Sequence, residues 1–289
     1  MTRATSTVLD ATLCLLLVGA AATVVVDGVD TAPAPDRTAA VERADLLASS
    51  TASVEYRLRT RGEHPDWVAN GSARHRRTAH GTLAALLADA AMTNVSSRGR
   101  RLSTASVGFE RRVRDATRDR LAGPDHASRI RVHWTPYRGA PLSATTTVGE
   151  RPPPSADVRS VTLAVASPME PAAERARRAA AGGDYRAVAA VVARSTVGGL
   201  FPPEQTRLAL HGDYPADRLM ANRYRRAAAL TGAGRLPGDG NVSTNNARLA
   251  AALTDRFAAD MRRRFASPPA AADAVRTGRV TLVVRTWSR

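Results

Sequence analysis

Lysine is absent from this sequence, cysteine occurs once, and aromatic residues make up only 4% of the chain. A P-loop ATPase is excluded, because its phosphate-binding loop needs a lysine. The single cysteine, Cys14, excludes an intramolecular disulfide and any zinc site built on cysteines. The shortage of aromatic rings argues against a nucleic-acid module that works by base stacking.

The sequence signatures of common catalytic and metal sites are missing as well. The chain has no Gly-x-Ser-x-Gly nucleophile elbow and no His-Glu-x-x-His zinc motif. Its six histidines do not fall into the spacing of a metal-ligand set. We therefore expect no catalytic residue, no metal site and no cofactor, and predict a protein that is not an enzyme.

The chain does contain enough apolar sequence for a core, together with a large excess of positive charge. Its 289 residues are 44% hydrophobic and 24% charged, a composition typical of a folded chain. All 42 basic residues are arginine, against 26 acidic residues, and the formal net charge is +16. This balance favours anionic partners.

An apolar segment lies near the N-terminus. Residues 8–26 are uncharged except for Asp10 and approach the length of a membrane span. Arg3 precedes the segment and acidic residues follow it, so the positive-inside rule predicts a cytoplasmic N-terminus and an extracellular C-terminal domain. The segment is either a retained anchor in the cell membrane or a signal peptide cut near the small residues 19–22, which would leave a secreted protein.

Composition divides the chain into a signal or anchor helix (residues 1–26), a linker (27–37) and one extracytoplasmic domain (38–289). We predict an α+β fold in which the N-terminal hydrophobic helix precedes a domain with several amphipathic helices and an antiparallel sheet of about four strands. Clean period-two alternation, rather than all-apolar runs, favours antiparallel pairing. The predicted strands are residues 53–60, 128–135, 158–167 and 279–287.

Several arginines lie on the outward side of these predicted strands. They are Arg57, Arg59, Arg129, Arg131 and Arg285. If the strands share a sheet, one of its faces is strongly basic and can bind phosphate, sulfate or carboxylate groups bidentately. DNA, an acidic glycan and an acidic partner protein are the candidate ligands. The alternative is a solvated face on which arginine replaces lysine through coding bias.

Three Asn-x-Ser sequons, at Asn70, Asn94 and Asn241, are candidate N-glycosylation sites. Glycosylation at these positions would agree with an extracellular domain.

Two groups of segments resemble known families. Residues 3–11 (RATSTVLDA) resemble the start of archaeal pilin-like proteins, in which a basic, small-residue processing site and an acidic residue precede an apolar helix. Residues 199–203 (GLFPP) and 210–215 (LHGDYP) resemble a family of uncharacterised haloarchaeal envelope proteins that is associated with pilin-like neighbours. The resemblance implies other pilin-like subunits as partners, and it implies no catalytic residue.

Two functions follow from these observations. The first is a non-enzymatic, membrane-anchored surface protein held by residues 8–26, an accessory or minor component of a pilus-like or secretion assembly. The second is a secreted basic binding module for DNA, acidic glycans or an acidic surface protein. Retention or removal of the N-terminal segment distinguishes the two.

Overall fold

The computed structural model describes residues 35–58, 76–123, 126–236 and 241–288. The helices in these ranges are α1 (Pro35–Ser49), α2 (Leu83–Thr93), α3 (Val107–Leu121), α4 (Ala173–Ala180), α5 (Tyr185–Leu200), α6 (Pro203–His211), α7 (Ala216–Thr231), α8 (Val242–Arg264) and α9 (Pro268–Asp273). The strands are β1 (Thr51–Arg57), β2 (Arg76–Thr82), β3 (Ser96–Ser97), β4 (Arg100–Arg101), β5 (His126–Trp134), β6 (Leu142–Val148), β7 (Arg159–Ala166) and β8 (Arg279–Ser288).

The strands form two sheets. Six of them make an antiparallel sheet in the order β4-β3-β6-β5-β8-β7, while β1 pairs with β2 in a separate two-stranded sheet. The central strands β5 and β8 pair from His126 opposite Ser288 to His133 opposite Thr281. Strands β7 and β8 are direct neighbours although helices α4–α9 lie between them in sequence. The helical part is therefore an insertion between two adjacent strands.

One face of the six-stranded sheet forms the hydrophobic core. Ile130, Val132 and Trp134 alternate along β5 and are almost fully buried. Helices α1 and α2 pack on this face, and Leu83 and Leu87 of α2 belong to the same buried cluster. The period-two pattern of β5 and the apolar side of α2 thus meet in one layered core.

Buried polar contacts join the helical insertion to the sheet. The indole N–H of Trp134 donates to the backbone carbonyl of Thr277 at 2.8 Å, and the hydroxyl of Tyr137 donates to Asp260 on α8 at 3.0 Å. Within the insertion, α5 packs along α8. The apolar side chains of the sheet and of the insertion form one continuous cluster.

The chain is α+β, but the predicted fold is wrong in its sheet. About four strands in one sheet were expected, whereas the structure has a six-stranded and a two-stranded sheet. Strand β6 has weak hydrophobic contrast, because Thr146 occupies a buried position between Ala144 and Val148. Strand β2 buries only Ala79 and is followed directly by α2, so its sequence is easily taken for the start of that helix.

The predicted membrane-anchored architecture also needs correction. None of the helices within the described ranges is both long and apolar enough to cross a membrane. The described residues therefore give no support to the predicted membrane-spanning helix or to the cell-membrane localisation. The segment on which both rested, residues 8–26, lies outside the described residues.

Candidate functional site

The face of the six-stranded sheet that lies opposite the core bears side chains that are exposed or half-buried, except for Trp287 near the end of β8, and we call it the open face. Because partners in an antiparallel register share a face, the pairings of β5 with β6 and β8, and of β7 with β8, define its members. They are Ala127, Arg129, Arg131, His133, Ser143, Thr145, Thr147, Ser160, Thr162, Ala164, Ala166, Arg279, Thr281, Val283, Arg285 and Trp287.

Two arginines of the open face lie directly opposite each other. Arg129 on β5 is the register partner of Arg285 on β8, and Arg131 follows two residues further along β5 on the same face. Residues that are directly opposite have Cβ atoms roughly 4.5–5.5 Å apart. None of these three arginines forms an ion pair with any residue that the structure describes. No member of the open face is acidic, so their charges are not neutralised there.

The positive charge of the open face affects its histidine. His133 lies two residues beyond Arg131 on the same face. Partial burial lowers the pKa of His133 below 6.5, and the nearby Arg131 lowers it further, because both disfavour the imidazolium form. The pKa of His133 therefore depends on the positive charge of the neighbouring Arg131.

The structure brings together three of the five predicted arginines. Arg129, Arg131 and Arg285 share the open face, whereas Arg57 lies on β1 in the two-stranded sheet. Arg59 lies outside the described residues. The prediction of a single basic face assumed that all the strands share one sheet, and β1 does not belong to the larger one.

Arg57 instead lines a groove of about 900 Å³ between β1 and α3. This groove carries charges of both signs. Glu55 forms an ion pair with Arg76 at 2.9 Å, and Asp115 on α3 accepts a hydrogen bond from Arg118 at 3.0 Å. Because acids accompany the arginines here, the groove offers less uncompensated positive charge than the open face.

A second cavity, of about 480 Å³, lies beside α5. Arg175, Arg194 and Glu170 contribute to its lining, and Arg175 forms an ion pair with Glu170. Within the described parts of the chain, no group of three or more His, Cys, Asp or Glu side chains is arranged to hold a metal ion.

Asp89 on α2 is a half-buried residue with a largely desolvated carboxyl, and the sequence patterns did not single it out. It forms no hydrogen bond or ion pair with a described residue, and burial raises its pKa to about 6. The pKa of nearby Tyr56 is raised mainly by burial; the charge of Arg77 lowers it and that of Asp89 raises it. The signal in the sequence was a single acidic residue among the apolar residues of α2.

The sequons differ in their surroundings. Asn94 ends α2, is only 6% exposed, and its amide nitrogen has no hydrogen-bond partner among the described residues. Asn241 is exposed and caps α8, where its side-chain oxygen accepts a hydrogen bond from the backbone N–H of Thr244 at 3.0 Å. Asn70 lies outside the described residues. Glycosylation at the three sites stays a prediction.

Hydroxyl side chains of the open face are the part of the site that sequence reasoning missed. Thr145 and Thr147 lie on β6, a strand that was not predicted, and Thr162 and Thr281 flank the centre of the face on β7 and β8. The alternation of Leu142, Ala144, Thr146 and Val148 with polar residues was the available signal for β6.

Fold and site define an α+β protein with a core on one side of an antiparallel sheet and an arginine-bearing open face on the other. The chain belongs to a family of unknown function (DUF7284), which matches residues 9–287. No curated protein and no solved structure is detectably similar to it. The family match confirms an uncharacterised family; it carries no haloarchaeal or pilin-like association and no indication of enzymatic activity.

Proposed function

We propose that this chain is a non-enzymatic binding protein whose open face holds an anionic polymer. The observation that carries the proposal is the placement of Arg129 directly opposite Arg285, with Arg131 beside them and no acid on the face. Like charges directly opposite each other in a sheet destabilise it. An anion lying between them would convert this repulsion into charge-assisted hydrogen bonds.

The arrangement supports an extended ligand over a small molecule. Small ligands are usually enclosed in concave pockets, and the two cavities beside α3 and α5 are lined by residues that do not belong to the open face. A polymer can instead contact several arginines along and across the strands. The net charge of +16 would attract such a polymer before contact is made.

We keep the resemblance to haloarchaeal envelope proteins in this proposal, as a prediction that the protein works at high salt concentration. In molar salt the Debye length is about 3 Å, so only direct contacts between guanidinium and anion would count. Opposed arginines offer such contacts, because each guanidinium can bind an anionic group through two parallel hydrogen bonds.

The test compares two double variants that remove the same charge. Arg129→Gln with Arg285→Gln alters the open face, whereas Arg178→Gln with Arg225→Gln alters exposed arginines of α4 and α7 that form no ion pair with described residues. Binding of fluorescent dextran sulfate is followed by anisotropy at several salt concentrations.

We expect at least about a tenfold loss of affinity for the open-face variant, since each lost charge-assisted hydrogen bond is worth about 1.5–3 kcal/mol. The helix variant should lose less than about threefold, and its affinity should keep the salt dependence of the parent. Equal losses in the two variants would show that net charge alone determines binding, and the proposal would be wrong.

A further inference from the structure

The open face carries hydroxyl groups around its arginines. Six of its members are serine or threonine, distributed over β6, β7 and β8. They are Ser143, Thr145, Thr147, Ser160, Thr162 and Thr281. Each hydroxyl can donate one hydrogen bond and accept two, which matches the hydroxyl groups of a sugar better than the flat edge of a base.

The same face offers no exposed ring on which a base could stack. Its one aromatic member is Trp287, the register partner of Ala127 near the end of β8, and this side chain is only 6% exposed. Binding of single-stranded nucleic acid generally depends on aromatic stacking platforms. Val283 lies half-buried between Arg131 and Thr162 at the centre of the face, where it could contact the C–H groups of a sugar ring.

A second cluster of arginines lies at the edge of the same sheet. Strands β3 and β4 form a tight hairpin whose exposed residues 98–101 read Arg-Gly-Arg-Arg, and β3 pairs with β6. Arg98 has a φ of 49°, a left-handed conformation that glycine adopts more easily. Arg98 and Arg100 form no ion pair with described residues, while Arg101 lies 3.6 Å from Glu110. We call residues 98–101 the arginine hairpin.

The strand register shows how the arginines of the open face and the arginine hairpin are placed relative to each other. Arg131 lies opposite Thr147, Thr145 and Ser143 follow on β6, and Ser143 lies opposite Ser96 at the base of the arginine hairpin. Strand spacing and rise give this diagonal a length of roughly 25–30 Å from Arg285 to β4. The path between the arginine clusters is lined by hydroxyl groups.

Building on the proposed function, we infer that the ligand is an acidic polysaccharide that lies diagonally across the open face from the Arg129–Arg285 pair to the arginine hairpin. The arginines bind its sulfate or carboxylate groups, and the serine and threonine hydroxyls bind the sugars between them. A chain too short to reach the hairpin would contact the open face alone.

The test uses size-fractionated heparin oligosaccharides, with oligo-dT of matched charge as the nucleic-acid probe. The hairpin variant is Arg98→Gly; since glycine suits the backbone at position 98, a loss of binding cannot be ascribed to a damaged turn. Arg100 is left in place, because it is the register partner of Ser97 on the core side of the sheet. The open-face variant Arg129→Gln with Arg285→Gln and the helix variant Arg178→Gln with Arg225→Gln are measured in parallel.

For the parent protein we expect affinity to rise with oligosaccharide length until the chain spans the diagonal, and oligo-dT to bind at least about tenfold more weakly than the longest oligosaccharide. The hairpin variant should lose about fivefold or more on long oligosaccharides and nothing on the shortest ones, because only long chains reach it.

Other outcomes separate this inference from the proposed function. If the open-face variant loses binding while the hairpin variant is unaffected at every length, or if oligo-dT binds as tightly as the oligosaccharide, the inference is wrong and the proposed function stands. If the open-face variant binds every probe as the helix variant does, both are wrong.

Discussion

Arg129 on β5 and Arg285 on β8 are register partners across the two central strands of the larger sheet, and neither has an ion-pair partner in the described residues. A sheet built for stability alone would place opposite charges, or an uncharged pair, at such positions. The energetic cost of this juxtaposition is the reason to assign the open face a role in binding, and that cost can be measured.

A double-mutant cycle on Arg129→Gln and Arg285→Gln should give an unfavourable coupling of about 0.2–1 kcal/mol to the free energy of unfolding in low salt. Like charges repel across the strands, so the coupling should approach zero in 1 M salt, where the Debye length is about 3 Å. Urea denaturation of the parent, the two single variants and the double variant measures it. A favourable coupling, or one unchanged by salt, would contradict the account.

The half-buried carboxyl of Asp89 should make stability depend on pH. Its pKa is raised from 3.8 to about 6 by burial, so the folded state binds this proton more tightly than the unfolded state. The protonated carboxyl of Asp89 therefore contributes fully to the free energy of unfolding below about pH 4, and this contribution is lost as the pH rises through about 6.

Asp89→Asn should consequently raise the free energy of unfolding by about 3 kcal/mol at pH 7.5, which is the cost of a shift of about two pKa units, and change it little at pH 3.5. Glu174→Gln, an exposed acid on α4, serves as the control and should have little effect at either pH. An equal effect of Asp89→Asn at both pH values would show that the substitution acts by packing rather than by charge.

Asp260 should be important for joining the insertion to the sheet. This buried carboxylate accepts hydrogen bonds from the Tyr137 hydroxyl at 3.0 Å and from Nε of Arg264 at 2.9 Å. Tyr137→Phe removes one donor and should cost about 1 kcal/mol of unfolding free energy, whereas Asp260→Ala leaves the other groups unpaired and should cost about 3 kcal/mol.

Thermal and urea unfolding of these two variants measure the difference. Arg263→Gln provides the comparison, because its contact with Asp260, at 3.2 Å, comes from a side chain that is largely exposed. If Asp260→Ala costs no more than Arg263→Gln, the network does not hold the two parts together.

The imidazole of His133 should respond to its arginine neighbour. Arg131→Gln should raise the pKa of His133 towards its ordinary value, since one of the two causes of its depression is removed. An NMR titration of the histidine ring protons follows this change, and Arg178→Gln should leave the His133 titration as it is in the parent. A His133 pKa that is insensitive to Arg131→Gln would mean that burial alone lowers it.

Sequence patterns identified the strands whose inward residues are strongly apolar. Strand β5, with Ile130, Val132 and Trp134 inward, and β8, with Val280 and Leu282 inward, were found for this reason. The same alternation placed Arg129, Arg131 and Arg285 on outward positions, as the structure has them.

The same sequence patterns do not predict which strands pair with each other. Alternation along β1 says which side of the strand Arg57 occupies, but it does not say that β1 pairs with β2 rather than with β5. Nor does it predict that β7 and β8 meet after the whole helical insertion. Strand partners depend on contacts between residues distant in sequence, and a period of two carries no information about them.

Mapping the contact of a sulfated polysaccharide by backbone amide chemical shifts tests the central claim most directly. Dextran sulfate is titrated into the labelled protein at moderate salt. We expect the largest shift changes at residues 129–133 and 281–285, together with a rise in the pKa of His133 as bound anions offset the charge of Arg131. Shift changes confined to the helical insertion, with those two strand segments and His133 unaffected, would contradict it.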